Sequence, residues 1–93
     1  RSGRNPTTNN KNMTHDLKIL PKFYMADVER RKTFEVRKDD RFYCKNDLVN
    51  LHEYDPNYPG GYTGRVWRGR ITYILRDTAY VRKGYVIFSI EEL

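Results

Sequence analysis

The sequence has a single cysteine, Cys44. One thiol cannot build an internal disulfide framework, and sparse cysteine use fits a reducing compartment. No apolar run approaches the roughly 18 residues of a membrane-spanning helix, and no signal-peptide core is present. His15, Cys44 and His52 are scattered, whereas a metal site needs ligands clustered at characteristic spacing. No glycine pattern opens a helix: "PGGYTG" (59–64) leads into a strand-like segment, so it reads as a flexible loop and not as a phosphate cradle. There is no internal repeat. These absences point to a soluble, cytoplasmic domain with no membrane, metal or cofactor partner.

What is present is charge and aromatic surface. The 93 residues suffice for one domain with a modest core. Aromatics make up 14%, including eight tyrosines, and the formal net charge is +6. A basic balance favours polyanionic partners, nucleic acid first. Residues 1–14 hold three basic side chains and no acid, which leaves 15 basic and 12 acidic residues, or +3, for the body. The polar stretch 1–13 is expected to be a disordered tail ahead of a domain at 14–93. Two origins stay open for it: native sequence, or a cloning remnant before an initiator at Met13.

From Met13 onward the pattern is mostly strand. "HDLKIL" (15–20) alternates, with Leu17 and Ile19 on one face. Residues 21–31 form the one convincing helix, with Pro21 at its first position and Leu20, Tyr24 and Val28 at four-residue spacing. Strands follow at 33–38, 48–54, 65–76 and 85–93, the last supplying core from Tyr85 to Ile90. Phe42 is expected to tuck under the connection after the second strand. Residues 55–64 form a long loop, and Gly69 is a candidate bulge. About five strands and one early helix predict a mainly β (α+β) fold. The expected architecture is a small, mostly antiparallel five- to six-stranded barrel with one helix after the first strand.

The densest charge cluster is "RKTFEVRKDDR" (31–41). Phe34 and Val36 alternate through it like a buried stripe, which puts Thr33, Glu35 and Arg37 on the opposite, outward face. On this reading Phe34→Ala removes a buried aromatic and costs around 3–5 kcal/mol, while Arg37→Ala costs ~0–1 kcal/mol of stability. Lys32, Glu35 and Arg37 resemble the signature Gly-x-Lys-x-x-Glu-x-Arg of the ASCH superfamily, small barrels related to PUA RNA-binding domains. Arg30 stands at the glycine position, so the turn there either needs no positive φ or is strained. Further segments, among them "DLVNLHEYDP", "RITYIL" and "GYVIFSI", resemble a largely bacterial and phage-borne family of that superfamily that carries only a domain-of-unknown-function label.

The resemblance implies that Lys32, Thr33, Glu35 and Arg37 face a cleft. Glu53, Tyr58, Tyr62 and Arg65 are added as ligand-binding candidates because they flank a loop that either lids the cleft or packs locally. Such a cleft suits a base edge and its phosphate: Arg offers a planar fork, Glu accepts from an exocyclic amine, and some of Tyr24, Tyr54, Tyr58, Tyr62 and Trp67 could stack a base. The bland alternative is a solvated Glu–Arg pair. Three functions compete: an RNA- or nucleotide-binding module; a small amidohydrolase acting on a 4-acetylcytidine-like nucleoside; and a protein-interaction module. The hydrolase reading makes Lys32 and Glu35 the catalytic candidates. The threonine that ASCH hydrolases place three residues after the lysine is replaced here by Glu35 itself.

Overall fold

Apolar residues on alternate positions build the strands and point one face of each inward. The computed structural model describes residues 12–93, and residues 1–11 of the expected tail lie outside them. In order the elements are β1 (Thr14–Ile19), α1 (Pro21–Val28), β2 (Phe34–Lys38), β3 (Leu48–Tyr54), β4 (Tyr62–Leu75) and β5 (Tyr85–Glu92). The five strands form one curled sheet in the order β1-β3-β4-β5-β2. β1 pairs with β3 in parallel, and the other three pairings are antiparallel. The result is a half-barrel whose concave face holds Leu17, Val49, Leu51, Trp67, Ile71, Val86 and Phe88, with Tyr24 of α1 and Tyr43 packed against them. Burying each large side chain contributes about 1.5–3 kcal/mol. No helix among the described residues is long and apolar enough to cross a membrane.

β1 and β2 lie at opposite ends of the strand order, so the sheet is open between them. The segment from Leu20 to Thr33 carries the chain across that seam. Pro21 starts α1 without losing a hydrogen bond, because the first N–H groups of a helix have no internal partner. The helix buries Tyr24, Ala26 and Asp27. Leu20 and Val28, expected on the same apolar face as Tyr24, are exposed, because the helix rests on the barrel end through one narrow stripe. Its end is a left-handed turn. Arg30 has φ 58°, and the N–H groups of Arg31 and Lys32 both donate to the Ala26 carbonyl, at 2.9 and 3.0 Å. Of the two alternatives for the glycine position, positive φ is the one found.

Several local expectations are corrected. In β2 the parity is inverted: Glu35 is 3% exposed, whereas Phe34 and Val36 are 45% and 54% exposed. Phe42 does not tuck under. Its φ of 50° turns the chain so that its ring stays exposed and Tyr43 enters the core instead. Gly69 is not the bulge; it pairs regularly with Val49 and Glu92, and the β4 register shifts between Ile71 and Tyr73. Its lack of a side chain admits the Trp67 ring, which a Cβ would strike. β4 begins at Tyr62, so the loop is shorter than expected, and its ends are tied by Asp55 N–H donating to Gly61 O at 2.8 Å.

Asp47 fastens the start of β1 to the start of β3. Its Oδ1 accepts from the Met13 N–H at 3.1 Å, and its Oδ2 accepts from the Cys44 N–H at 3.0 Å and meets His15 Nε2 at 2.8 Å. Asp47 is fully buried and His15 nearly so. Asp47→Ala would leave these buried donors unsatisfied, and its expected cost in urea denaturation is about 3–5 kcal/mol. At the helix end, Arg30→Gly and Arg30→Ala lose the same side chain, but only glycine accepts positive φ without strain. The glycine variant should be the more stable by about 1 kcal/mol in the same measurement.

Candidate functional site

The open seam is also where charge is buried. Asp27, in the last turn of α1, is completely enclosed. Lys32 follows the left-handed turn and reaches back, so that its Nζ lies 3.2 Å from Asp27 Oδ1. The same ammonium donates to Glu35 Oε2 in β2. Glu35 Oε1 accepts from Arg37 Nε at 2.9 Å, with Arg37 Nη2 at 2.8 Å. Two acids and two bases thus form one chain, Asp27–Lys32–Glu35–Arg37, from helix end to strand. It explains the inverted parity of β2: an inward glutamate is tolerated because cations three residues before and two residues after it satisfy both oxygens.

Asp27 Oδ2 has no hydrogen-bond partner. Burial pushes the Asp27 carboxyl up to about 6; the Lys32 ammonium opposes this and the Glu35 carboxylate adds to it. Sequence reading missed Asp27. The available signal was an acid closing the helix five residues before a lysine that already had one carboxylate to serve.

A cleft of about 400 Å³ lies over this chain. Lys32, Glu35 and Arg37 form its polar floor; Leu20 and Phe23 wall it from the β1–α1 side, and Phe34 and Val36 from β2. Lys18 stands at its rim. Phe23 and Phe34 keep more than two fifths of their surface exposed, with Lys22 Nζ 4.9 Å from the Phe23 ring centre and Lys32 Nζ 5.5 Å from that of Phe34.

The remaining candidates are distributed elsewhere. Thr33 is exposed, and its carbonyl accepts from the Ile90 N–H at 3.0 Å. Glu53 is buried at the end of β3, where Arg65 Nε and Nη2 grip it at 2.8 and 2.9 Å and the Thr63 hydroxyl donates at 2.6 Å. The hydrogen bonds from Arg65, more than the one from Thr63, hold its carboxyl below the usual glutamate value against the opposing effect of burial. The Arg65 guanidinium sits 5.2 Å from the centre of the buried Tyr24 ring. This cluster closes the barrel end and does not line the cleft. Tyr58 caps a turn closed by Gly61 N–H donating to its carbonyl, and lines neither this cleft nor its neighbours. Trp67 is buried under Arg30, and Tyr54 packs edge-on against Tyr62 at 5.0 Å. Tyr62 lines an adjoining cavity. No group of three or more potential metal ligands converges among the described residues.

The raised Asp27 value has a measurable sign. Its folded pKa, about 6, exceeds the ordinary 3.8, so its favourable contribution is complete below pH ~4 and is lost as pH rises through about 6. Asp27→Asn does not titrate. Relative to the wild type it should gain stability from pH 4 to 7, on the order of 2–3 kcal/mol. Urea unfolding at four pH values checks this, and parallel curves for both proteins would exclude a raised Asp27.

The chain is similar to the "Uncharacterized 12.9 kDa protein in GpA 3'region" of Escherichia phage P2, with 38% identity over 58 residues. The aligned part is 62% of this chain and 50% of that protein, so the chain spans about half the length of the curated relative it matches. The family model described as Domain of unknown function (DUF3850) matches residues 14–90, from the first strand into the last. The protein therefore belongs to the DUF3850 family.

Proposed function

We propose that the protein is a binding module for RNA or a nucleotide-like ligand, and that the seam cleft holds a nucleobase. The observation that carries this reading is the pairing of two exposed aromatic walls, Phe23 and Phe34, with a hydrogen-bonded floor in which the buried Glu35 is held by the half-buried Lys32 and Arg37. A base inserted between such walls gains stacking on its faces. Its edge meets the Arg37 guanidinium, whose fork keeps N–H groups beyond those aimed at Glu35, while Glu35 Oε2, with one donor, keeps a lone pair that Oε1, facing two Arg37 nitrogens, does not. The resemblance of the Lys32–Glu35–Arg37 spacing to ASCH and PUA-like domains supports the same ligand class.

The hydrolytic alternative needs Glu35 to take a proton from water. Protonating it would neutralise the carboxylate charge that both ion pairs holding it in a buried position depend on, so its placement favours recognition over proton transfer. Release of acetate from 4-acetylcytidine would reverse that preference.

The structure changes which substitution tests the cleft. Arg37→Ala removes one of the two partners of a buried carboxylate, so its stability cost should be about 1–3 kcal/mol and not the near-zero value of an exposed residue. Phe34 is the cleaner probe. Phe34→Ala should lower stability by only about 1 kcal/mol, because the ring is half exposed. It should weaken binding of a nucleotide or short RNA by about 1–3 kcal/mol if a base stacks there. A nucleotide panel titrated into labelled protein, followed at Phe23 and Phe34, is the direct check. Absence of any shift at these rings across the panel would remove the reading.

A further inference from the structure

Two more cavities adjoin the cleft, and Lys18 lines all three. One, of about 250 Å³, also shares Arg37 with the cleft and adds Lys38 and Arg41. The other, of about 460 Å³, shares Arg41 with the second and ends at His52 and Tyr62. Across the three linings there are five lysines or arginines (Lys18, Lys32, Arg37, Lys38, Arg41) against three acids (Asp16, Glu35, Asp40). Tyr43 lines the smaller cavity but is buried in the core, and exposed aromatic surface returns at the far end, where Tyr62 is half exposed. Lys18 Nζ sits at the junction, 4.1 Å from the Tyr54 ring centre and 5.9 Å from that of Tyr62.

We propose that the three cavities form one track for a single-stranded polynucleotide: one base in the Phe23–Phe34 cleft, phosphates along Lys18 and Arg41, and a base further along the strand on Tyr62. The proposal rests on the nucleobase reading of the cleft and extends it from a mononucleotide to a strand. The charge order supports it, because aromatic, cationic and aromatic surfaces succeed one another as base, phosphate and base do along a strand. Length supports it too. From Asp16 in β1 at one end to Leu20, just past β1, at the other, the chain takes four steps, or about 13 Å. A stacked strand advances only about 3.4 Å per phosphate, so a single nucleotide step leaves the track unfilled. At the Tyr62 end, Asp16 already accepts from Asn50 Nδ2 at 3.0 Å and lies 2.8 Å from His52 Nε2, which fixes a polar rim beside the ring.

Anisotropy titrations with labelled RNA and DNA hexamers, and calorimetry with the corresponding mononucleotides, test the proposal on the full chain. The hexamer should bind tighter than the mononucleotide. Tyr62→Ala should weaken the hexamer about 5- to 150-fold and leave the mononucleotide within about twofold, while Tyr62→Phe, which keeps the ring, stays near wild type. Lys18→Ala should reduce the slope of log affinity against log salt by about 0.7, the share of one phosphate on a single strand. Preference between the RNA and DNA hexamers identifies the source of the strand. If mononucleotide binds and Phe34→Ala weakens it, but Tyr62→Ala and Lys18→Ala leave the hexamer unchanged, the track is wrong and the single-base cleft stands. If neither probe binds, both readings fail.

Discussion

The ammonium of Lys32, held between the carboxylates of Asp27 and Glu35, is the interaction on which this fold turns. β1 and β2 are consecutive strands, yet they occupy the two ends of the sheet. No ladder joins them among the described residues, so the half-barrel would gape where the chain crosses over. Lys32 ties the end of α1 to β2 across that gap, and Arg37 completes the charge balance. The tie is electrostatic because the geometry leaves an acid on each side and a single residue between. Buried ionic chains of this kind give little net stability compared with apolar packing of the same volume, since desolvation offsets attraction.

The same open seam determines the surface chemistry. Unpaired strand edges invite association with other chains, and short, charged edge strands limit the hazard. β2 has five residues and ends in Arg37 and Lys38. Its outward Phe34 and Val36, however, lie opposite Leu20 and Phe23, so apolar surface is concentrated where the edges are free. Exposed apolar surface rimmed by charge marks binding sites more often than accidents of packing. The inversion of β2 is thus one fact with two faces: burying Glu35 for the clamp turns Phe34 and Val36 out toward the cleft.

Most strands were legible because period-two alternation is a direct imprint of a one-sided core. The limits of β3, 48–54, are the ones its pattern gives, Leu17 and Ile19 lie where alternation puts them, and of the last strand's run from Tyr85 to Ile90 it is Val86, Phe88 and Ile90 that enter the core. The differences have separate causes. Apolar residues were assumed to point inward, and in β2 a paired carboxylate outranked a phenylalanine for the inner position. The residues that could have revealed this were in view: Glu35 is flanked by Lys32 and Arg37 at spacings that reach both of its oxygens. Phe42 and Arg30 depended on positive φ, which composition does not announce in non-glycine residues. Glu53 and Arg65 are legible as charged residues flanking a loop but not as partners, because the grip needs the β3–β4 register, and that register shifts between His52 and Tyr54.

One consequence concerns how site and scaffold can be separated. On an exposed strand face an arginine is dispensable to folding, and a loss of binding on its removal would identify a contact. Arg37 is not in that position. It neutralises a buried carboxylate and lines the cleft at once, so its removal perturbs both the fold and any ligand. The same holds for Lys32, with two carboxylates to serve. The charged floor is therefore coupled to stability by construction, and its members should show non-additive effects when substituted together. The aromatic walls are not coupled in this way. Phe23 and Phe34 contribute to the cleft with their exposed faces, and the core beneath is completed by Tyr24, Val86 and Phe88 without them. On the proposed reading, the walls would stack a base while the floor serves both cohesion and the base edge, so only the walls separate binding from stability.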